Sequence, residues 1–268
     1  MQDFSRSEDC MGTVFRFHGR TPFDALKTVE LLIPTCEILH EADRTFSLYK
    51  PESPLSRLSR GEAPMRDLPP VVSEIWDACE LWEQKTDGWF SAMSPENTFD
   101  PSGIVKTWAA KRAAEHLVSQ GVVDFTLNAG GDIWISDQAS LDVDWRVAIH
   151  KPVALTADDA GVLTVIDLRD TPYRGVATSG SAERGLHIWN PKAPGRTAAA
   201  TVAQVTVVGR DLVEADVWAT ACFAEGERAI EHLNSYNLAN PEHDFQALMV
   251  GLDGHLMATE GFLELFAK

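Results

Sequence analysis

Val72, Ile75, Cys79 and Trp82 recur at steps of three and four, the spacing of one buried stripe along an α-helix, and Gly88 follows as a plausible stop. Residues 22–42 carry a similar pattern, with Pro34 as a possible interruption. A third, alanine-rich stretch from about 104 to 120 predicts a helix with Gly121 as its C′ residue. After Gly121 the pattern changes. Residues 122–127, 145–149, 162–168 and 204–208 are short β-like runs rich in Val and Ile. A further helix is expected over about 213–224. The stretches 246–250 and 255–258 flank Gly251-Leu252-Asp253-Gly254, a hairpin signal. Helices and strands do not alternate regularly, which predicts an α+β fold and argues against a Rossmann domain. No internal repeat or low-complexity linker divides the chain. Residues 1–268 therefore read as one domain, with the hairpin and helix of 245–268 part of the same unit.

The 268 residues are 44% apolar and 24% charged, an ordinary globular composition, and suffice for a sizeable core. The net charge of −17 changes the picture of partners. It opposes nucleic acid and anionic lipid, so neither is expected. It would equally repel an anionic pyrophosphate, so a site for one needs local cations or a metal. Cys10, Cys36, Cys79 and Cys222 form no CxxC pair, which disfavours a thiolate zinc site. No apolar run approaches the ~18 residues of a membrane span, and the first residues are polar. The expectation is a cytoplasmic protein.

Four segments could carry chemistry. Asp100-Pro101-Ser102-Gly103-Ile104-Val105-Lys106 stands at a helix start, where Asp100 or Ser102 would cap. The same geometry offers free N–H groups and a positive dipole end to a phosphate, with Lys106 adding charge. Asn128-Ala129-Gly130-Gly131-Asp132 follows an apolar strand and suits either close backbone approach or a tight turn. It is not a GxGxxG fingerprint. Ala177-Thr178-Ser179-Gly180 precedes His187, which alternates with apolar neighbours. Most such histidines are structural, but a near-neutral pKa would suit proton removal from a hydroxyl. Asp216 and Thr220 lie four apart, on one helix face, and are hard oxygen donors of the kind Mg²⁺ takes. An acidic helix start explains Asp216 as well. His40-Glu41 is no zinc-protease motif, because Arg44 stands where the second His is required.

In order and content these segments resemble the ApbE family of flavin transferases. The resemblance runs from about residue 11 to 223. It includes Met11-Gly12-Thr13, Ser47-Leu48-Tyr49-Lys50-Pro51-Glu52-Ser53, Thr86-Asp87-Gly88-Trp89-Phe90 and the 100–106 and 128–133 stretches. Ala177 to Gly180, His187-Ile188 and Ala215-Asp216-Val217-Trp218-Ala219-Thr220-Ala221 complete it. It implies a T-fold-like α+β structure and Mg²⁺-dependent transfer of FMN from FAD to a Thr or Ser of a separate protein, with release of AMP. By the same resemblance, Met11, Tyr49, Trp89, Phe90, Ser91, Asp100, Lys106 and Ile188 would contact FAD. Asp216, Thr220 and the carbonyl of Gly103 would hold the metal. His187 is the candidate base, beside Asp216 as a catalytic position.

The chain departs from the family pattern at Ser91, where Asp is usual, at Thr107, where Gly is common, and at Ala182, where an aromatic is common. The turn from Pro191 to Gly195 is one residue longer. The family's acceptor motif, Asp-x-x-Ser/Thr-Gly-Ala-Ser/Thr, is absent from this chain, so a separate acceptor is implied. Two other functions use the same residues: an FAD pyrophosphatase with water as acceptor, and a non-catalytic FAD-binding protein. The intact Asp216 and Thr220 argue against the second.

Overall fold

The structure, a computed structural model, describes residues 1–140, 145–152, 155, 161–180, 188–193 and 202–267. They fall into two compact units, Met1–Lys85 with Ser91–Val143, and Thr86–Phe90 with Asp144–Lys268.

The first unit opens with a hairpin, β1 (Gln2–Cys10) and β2 (Thr13–Thr21). Met11 and Gly12 turn it with φ of 53° and 70°, the left-handed pair that a two-residue connection between right-twisted strands requires. β3 (Asp124–Ala129) pairs antiparallel with β2, and β4 (Asp132–Ile135) with β3. Phe15, Phe17, Phe125 and Leu127 are the large buried side chains of β2 and β3.

Four helices complete this unit: α1 (Ala25–Phe46), α2 (Pro54–Ser59), α3 (Pro70–Lys85) and α4 (Ser102–Ser119). The buried residues of α3 are Val72, Ile75, Cys79 and Trp82, the stripe read from the sequence. The helix ends three residues before Gly88, and Asp87 and Gly88 reverse the chain with φ of 49° and 73°. α1 continues through Pro34 rather than breaking there. Pro34 is exposed, so water can hydrate the carbonyl that loses its helical partner. α4 ends as expected, with Gly121 at φ 88°. Its Ala109, Ala110, Ala113 and Ala114 are fully buried. Their small side chains let α4 lie close against its neighbours, which are α1, β3 and β4.

In the second unit, β5 (Arg146–His150) and β6 (Val162–Asp167) form a separate antiparallel pair. β7 (Gly175–Gly180), β8 (Val202–Gly209), β9 (Gln246–Gly251) and β10 (Leu256–Ala258) pair antiparallel in that order. Every residue of β8 and β9 is buried, which explains continuous apolar runs where a half-exposed strand would alternate. α5 (Leu212–Glu225) packs on β7 and β8, α6 (Ala229–Ala239) on α5, and α7 (Glu260–Leu263) on β9. No helix among the described residues is long and apolar enough to cross a membrane.

Candidate functional site

In the first unit, three loops that are distant in sequence meet. Asp100 precedes α4, and its carboxylate accepts from Ser102 N at 3.0 Å. It thus satisfies a first-turn donor, although Pro101 occupies the N-cap itself. Gly103 is the second residue of α4 and Lys106 the fifth. Lys106 Nζ lies 2.5 Å from Oδ2 of Asp132, whose side chain is 1% exposed.

Asp132 starts β4, directly after the two-glycine turn. Gly130 and Gly131 have φ of 63° and 102°, and Gly131 N donates to Asn128 Oδ1 at 2.9 Å. The tight-turn reading of these glycines therefore holds. Gly130 is also a point of close approach. Its N–H donates to Val14 O at 3.2 Å, and a Cβ on it would sit 2.3 Å from Thr13 Oγ1. The turn carrying Met11 is thus pressed against the turn that places Asp132, which holds Lys106. Tyr49 stands apart from this arrangement, 98% exposed on the loop before α2.

The departures at Ser91 and Thr107 have local explanations. Ser91 Oγ accepts from Met93 N at 3.2 Å, a turn bond that Asp could also make. Thr107 is fully buried on α4, and its hydroxyl donates to Ile104 O at 3.2 Å.

In the second unit, α5 carries Asp216 and Thr220 one turn apart. Its N-cap is Asp211, whose side chain accepts from Val213 N and Glu214 N at 2.9 and 3.2 Å. Capping is therefore already done, and Asp216 is 5% exposed in the second turn. A solvated acid that merely favours the helix dipole would be exposed, so that explanation fails for Asp216. Thr220 is half-buried, and its Oγ1 lies 3.3 Å from Oγ of the buried Ser179 on β7. On the far side of α5, Trp218 packs against Tyr236, with ring centroids 4.7 Å apart, and against Phe245 at 5.9 Å. This anchor fixes the rotation of α5 and hence the direction in which Asp216 and Thr220 face.

The Thr86–Phe90 stretch belongs to the same unit. Phe90 is buried, and its N–H donates to Thr86 Oγ1 at 3.0 Å. Lys192 Nζ lies 4.3 Å from the Trp89 ring centroid and 2.9 Å from Asp87 Oδ2. That hydrogen bond, with the ammonium charge, holds the Asp87 carboxyl below the usual carboxylate range. Ile188 is buried. His187 and Ala182 lie outside the described residues.

The site residues are thus divided. Met11, Tyr49, Ser91, Asp100, Gly103 and Lys106 belong to the first unit, and Trp89, Phe90, Ile188, Asp216 and Thr220 to the second. Three residues that sequence reasoning did not single out sit against them: Asp132, Ser179 and Lys192. The first two lay within motifs already noted, but nothing local marked them apart from their neighbours.

Comparison with known proteins places the chain in a family. The ApbE family profile matches residues 92–241, more than half of the chain, and the chain belongs to that family. An FAD:protein FMN transferase of Vibrio cholerae serotype O1 is 33% identical over 141 residues. That match takes in 50% of this chain and 40% of the relative. Its Escherichia coli K12 counterpart is 29% identical over 154 residues, 54% of this chain and 42% of the relative. The matches therefore span less than half of these curated relatives. The fold is that of the flavin transferase ApbE from Vibrio cholerae, with a TM-score of 0.78 at 21% identity over 98% of this chain and 99% of that one. The ApbE protein of Thermotoga maritima superposes with a TM-score of 0.77 at 21% identity, over the whole of both chains.

Proposed function

We propose that this protein is an Mg²⁺-dependent FAD:protein FMN transferase acting on a Thr or Ser hydroxyl of a separate protein. The observation that carries the reading is the buried Asp216 with Thr220 one turn on, in a chain of the ApbE family. The curated relatives are named for this activity.

The donor chemistry fits the metal. Among the described residues no three His, Cys, Asp or Glu side chains gather to hold an ion. Mg²⁺ does not ask for that. It takes one or two carboxylates and keeps waters and substrate phosphates for the rest of its octahedron. Asp216 would give the anionic oxygen, Thr220 a neutral one, and Gly103 its carbonyl, which has a second lone pair beyond any helical bond. When bound, Mg²⁺ neutralises charge on the pyrophosphate oxygens and on the departing AMP.

The remaining roles fall to the chain. Lys106 would place an ammonium at the pyrophosphate, with Asp100 at the start of the same helix. Met11, Tyr49, Trp89, Phe90, Ser91 and Ile188 would line the flavin nucleotide. His187 would take the proton from the acceptor hydroxyl, because an alcohol is nearly inert at neutral pH. The acceptor oxygen then bonds to the FMN phosphorus, the pyrophosphate P–O bond breaks, and AMP leaves. Positioning and charge supply most of the rate in such a transfer.

The test is incubation with FAD, Mg²⁺ and a peptide carrying the Asp-x-x-Thr-Gly-Ala-Thr motif, followed by mass spectrometry. The expected result is a peptide heavier by one FMN phosphoester, with an equal amount of AMP. Free FMN with unmodified peptide would assign a pyrophosphatase. FAD left intact would leave only binding.

A further inference from the structure

We infer that Asp132 is the positioning residue of the FAD site: it holds Lys106 so that the lysine can meet the pyrophosphate. The inference rests on the reading that Lys106 contacts FAD.

An acid beside an anion-binding lysine is at first sight a contradiction. In a chain of net charge −17, each further carboxylate near the site repels a pyrophosphate. Coulomb repulsion alone predicts that removing Asp132 strengthens FAD binding. The geometry argues the other way. Lys106 Nζ is 2.5 Å from Asp132 Oδ2, and the lysine side chain is only 17% exposed. A free lysine has four rotatable bonds and loses on the order of 2 kcal/mol of rotamer freedom when fixed. A lysine already held by a buried carboxylate has met that cost before the ligand arrives. An ammonium has three donors, so one carboxylate contact does not by itself exhaust them. Along a helix, side chains lean towards the N-terminus, so Lys106 leans back towards the first turn of α4, which holds Gly103 and which Asp100 precedes.

Asp132 is well suited to this task because it is buried beside a tightly packed turn. It follows a turn whose glycines take φ of 63° and 102°, which their lack of a Cβ permits. That turn is clamped against Thr13 and Val14, next to Met11. The Asp132 carboxylate thus ties α4 to the β3–β4 turn, while Gly130 of that turn lies against Thr13 and Val14. Its 1% exposure keeps Asp132 from touching substrate, so the effect assigned to it acts through Lys106.

The test compares FAD with riboflavin, which has the flavin ring but no phosphate. Affinities are measured by calorimetry with Mg²⁺ for wild type, Lys106→Met, Asp132→Asn, Asp132→Glu and the Lys106→Met/Asp132→Asn double variant. Lys106→Met should lower the preference for FAD over riboflavin on the order of tenfold, the size of a hydrogen bond to a charged group. Asp132→Asn should lower it nearly as far and leave riboflavin affinity unchanged. The double variant should lose no more than either single one. Asp132→Glu keeps the charge but displaces it, and should fall between wild type and Asp132→Asn. It also serves if Asp132→Asn folds poorly. A stronger preference for FAD in Asp132→Asn overturns the inference in favour of simple repulsion. Equal losses for both ligands, or additive losses in the double variant, overturn it in favour of a purely structural acid. A wild type that binds riboflavin as tightly as FAD refutes the reading of Lys106 itself.

Discussion

The hydroxyl of Ser179 on β7 lies 3.3 Å from that of Thr220 on α5. A threonine that gives a lone pair to a cation must point its proton elsewhere, and Ser179 is placed to accept it. Ser179→Ala should therefore weaken metal use although Ser179 is no proposed ligand. Losing a group that orients a ligand typically costs 10–100-fold in metal affinity. With FAD present, the Mg²⁺ concentration giving half the maximal rise in melting temperature should increase about tenfold. An unchanged midpoint would return Ser179 to ordinary packing.

Asp216 and Thr220 should differ in how far they can be replaced. Asp216→Asn keeps a carbonyl oxygen but loses the charge on which a hard dication depends, so most AMP release should disappear. Thr220→Ala removes a neutral oxygen that water can partly replace. High Mg²⁺ should partly rescue Thr220→Ala and rescue Asp216→Asn poorly. The assay is AMP release against Mg²⁺ concentration, with EDTA as control. Full transfer by wild type in EDTA would refute the metal roles of both residues.

Those two residues show how legibility divides between fold and site. The apolar stripe of α3, the C-terminal stop of α4, the α5 stretch and the β9–β10 hairpin were readable because each is set by local periodicity or a local glycine. The β1–β2 hairpin was not. β1 buries only Phe4 and Cys10, so it shows no apolar alternation, and its turn is Met11-Gly12 rather than Asn-Gly. α6 was missed for the same reason, with only Ala229 and Leu233 buried. Asp216 and Thr220 could be paired from spacing because one helix carries both. Asp132 with Lys106 and Ser179 with Thr220 could not, because each pair is made by a strand meeting a helix far along the chain.

Gly130 offers a test of the clamp between two of the loops. Its φ of 63° strains any residue with a Cβ, and that Cβ would meet Thr13 Oγ1 at 2.3 Å. Gly130→Ala should destabilise the protein by roughly 1–3 kcal/mol. The readout is a lower urea midpoint with an unchanged slope. Combining it with Thr13→Gly removes the collision but not the backbone strain, so part of the loss should return. A Gly130→Ala midpoint equal to that of wild type would mean that the two turns are not pressed together.

The four cysteines make the last prediction, which concerns alkaline pH. All four are buried as free thiols. Burial penalises the thiolate, pushing Cys36 up to about 11, with the Glu8 charge adding to it, and Cys79 up to about 12, and raising Cys222 as well. The Tyr173 phenol is pushed up to about 12, first by burial and then by its hydrogen bond to Asp244. In each case the folded value lies above the unfolded one, so the native state keeps a proton that the unfolded chain gives up. The stability this represents is complete below about pH 9, the ordinary value for a thiol. It is lost as pH rises through 9 towards 11 and 12, by about 1.4 kcal/mol per unit for each group still protonated in the fold. The urea midpoint should therefore stay flat from pH 7 to 8.5 and fall steeply from 9 to 11. Cys79→Val removes one titrating group and should make that fall shallower. At pH 8 a disulfide reagent should reach the thiols only after urea is added. Rapid reaction of all four in native protein, or a midpoint that holds level to pH 11, would contradict this account of their burial.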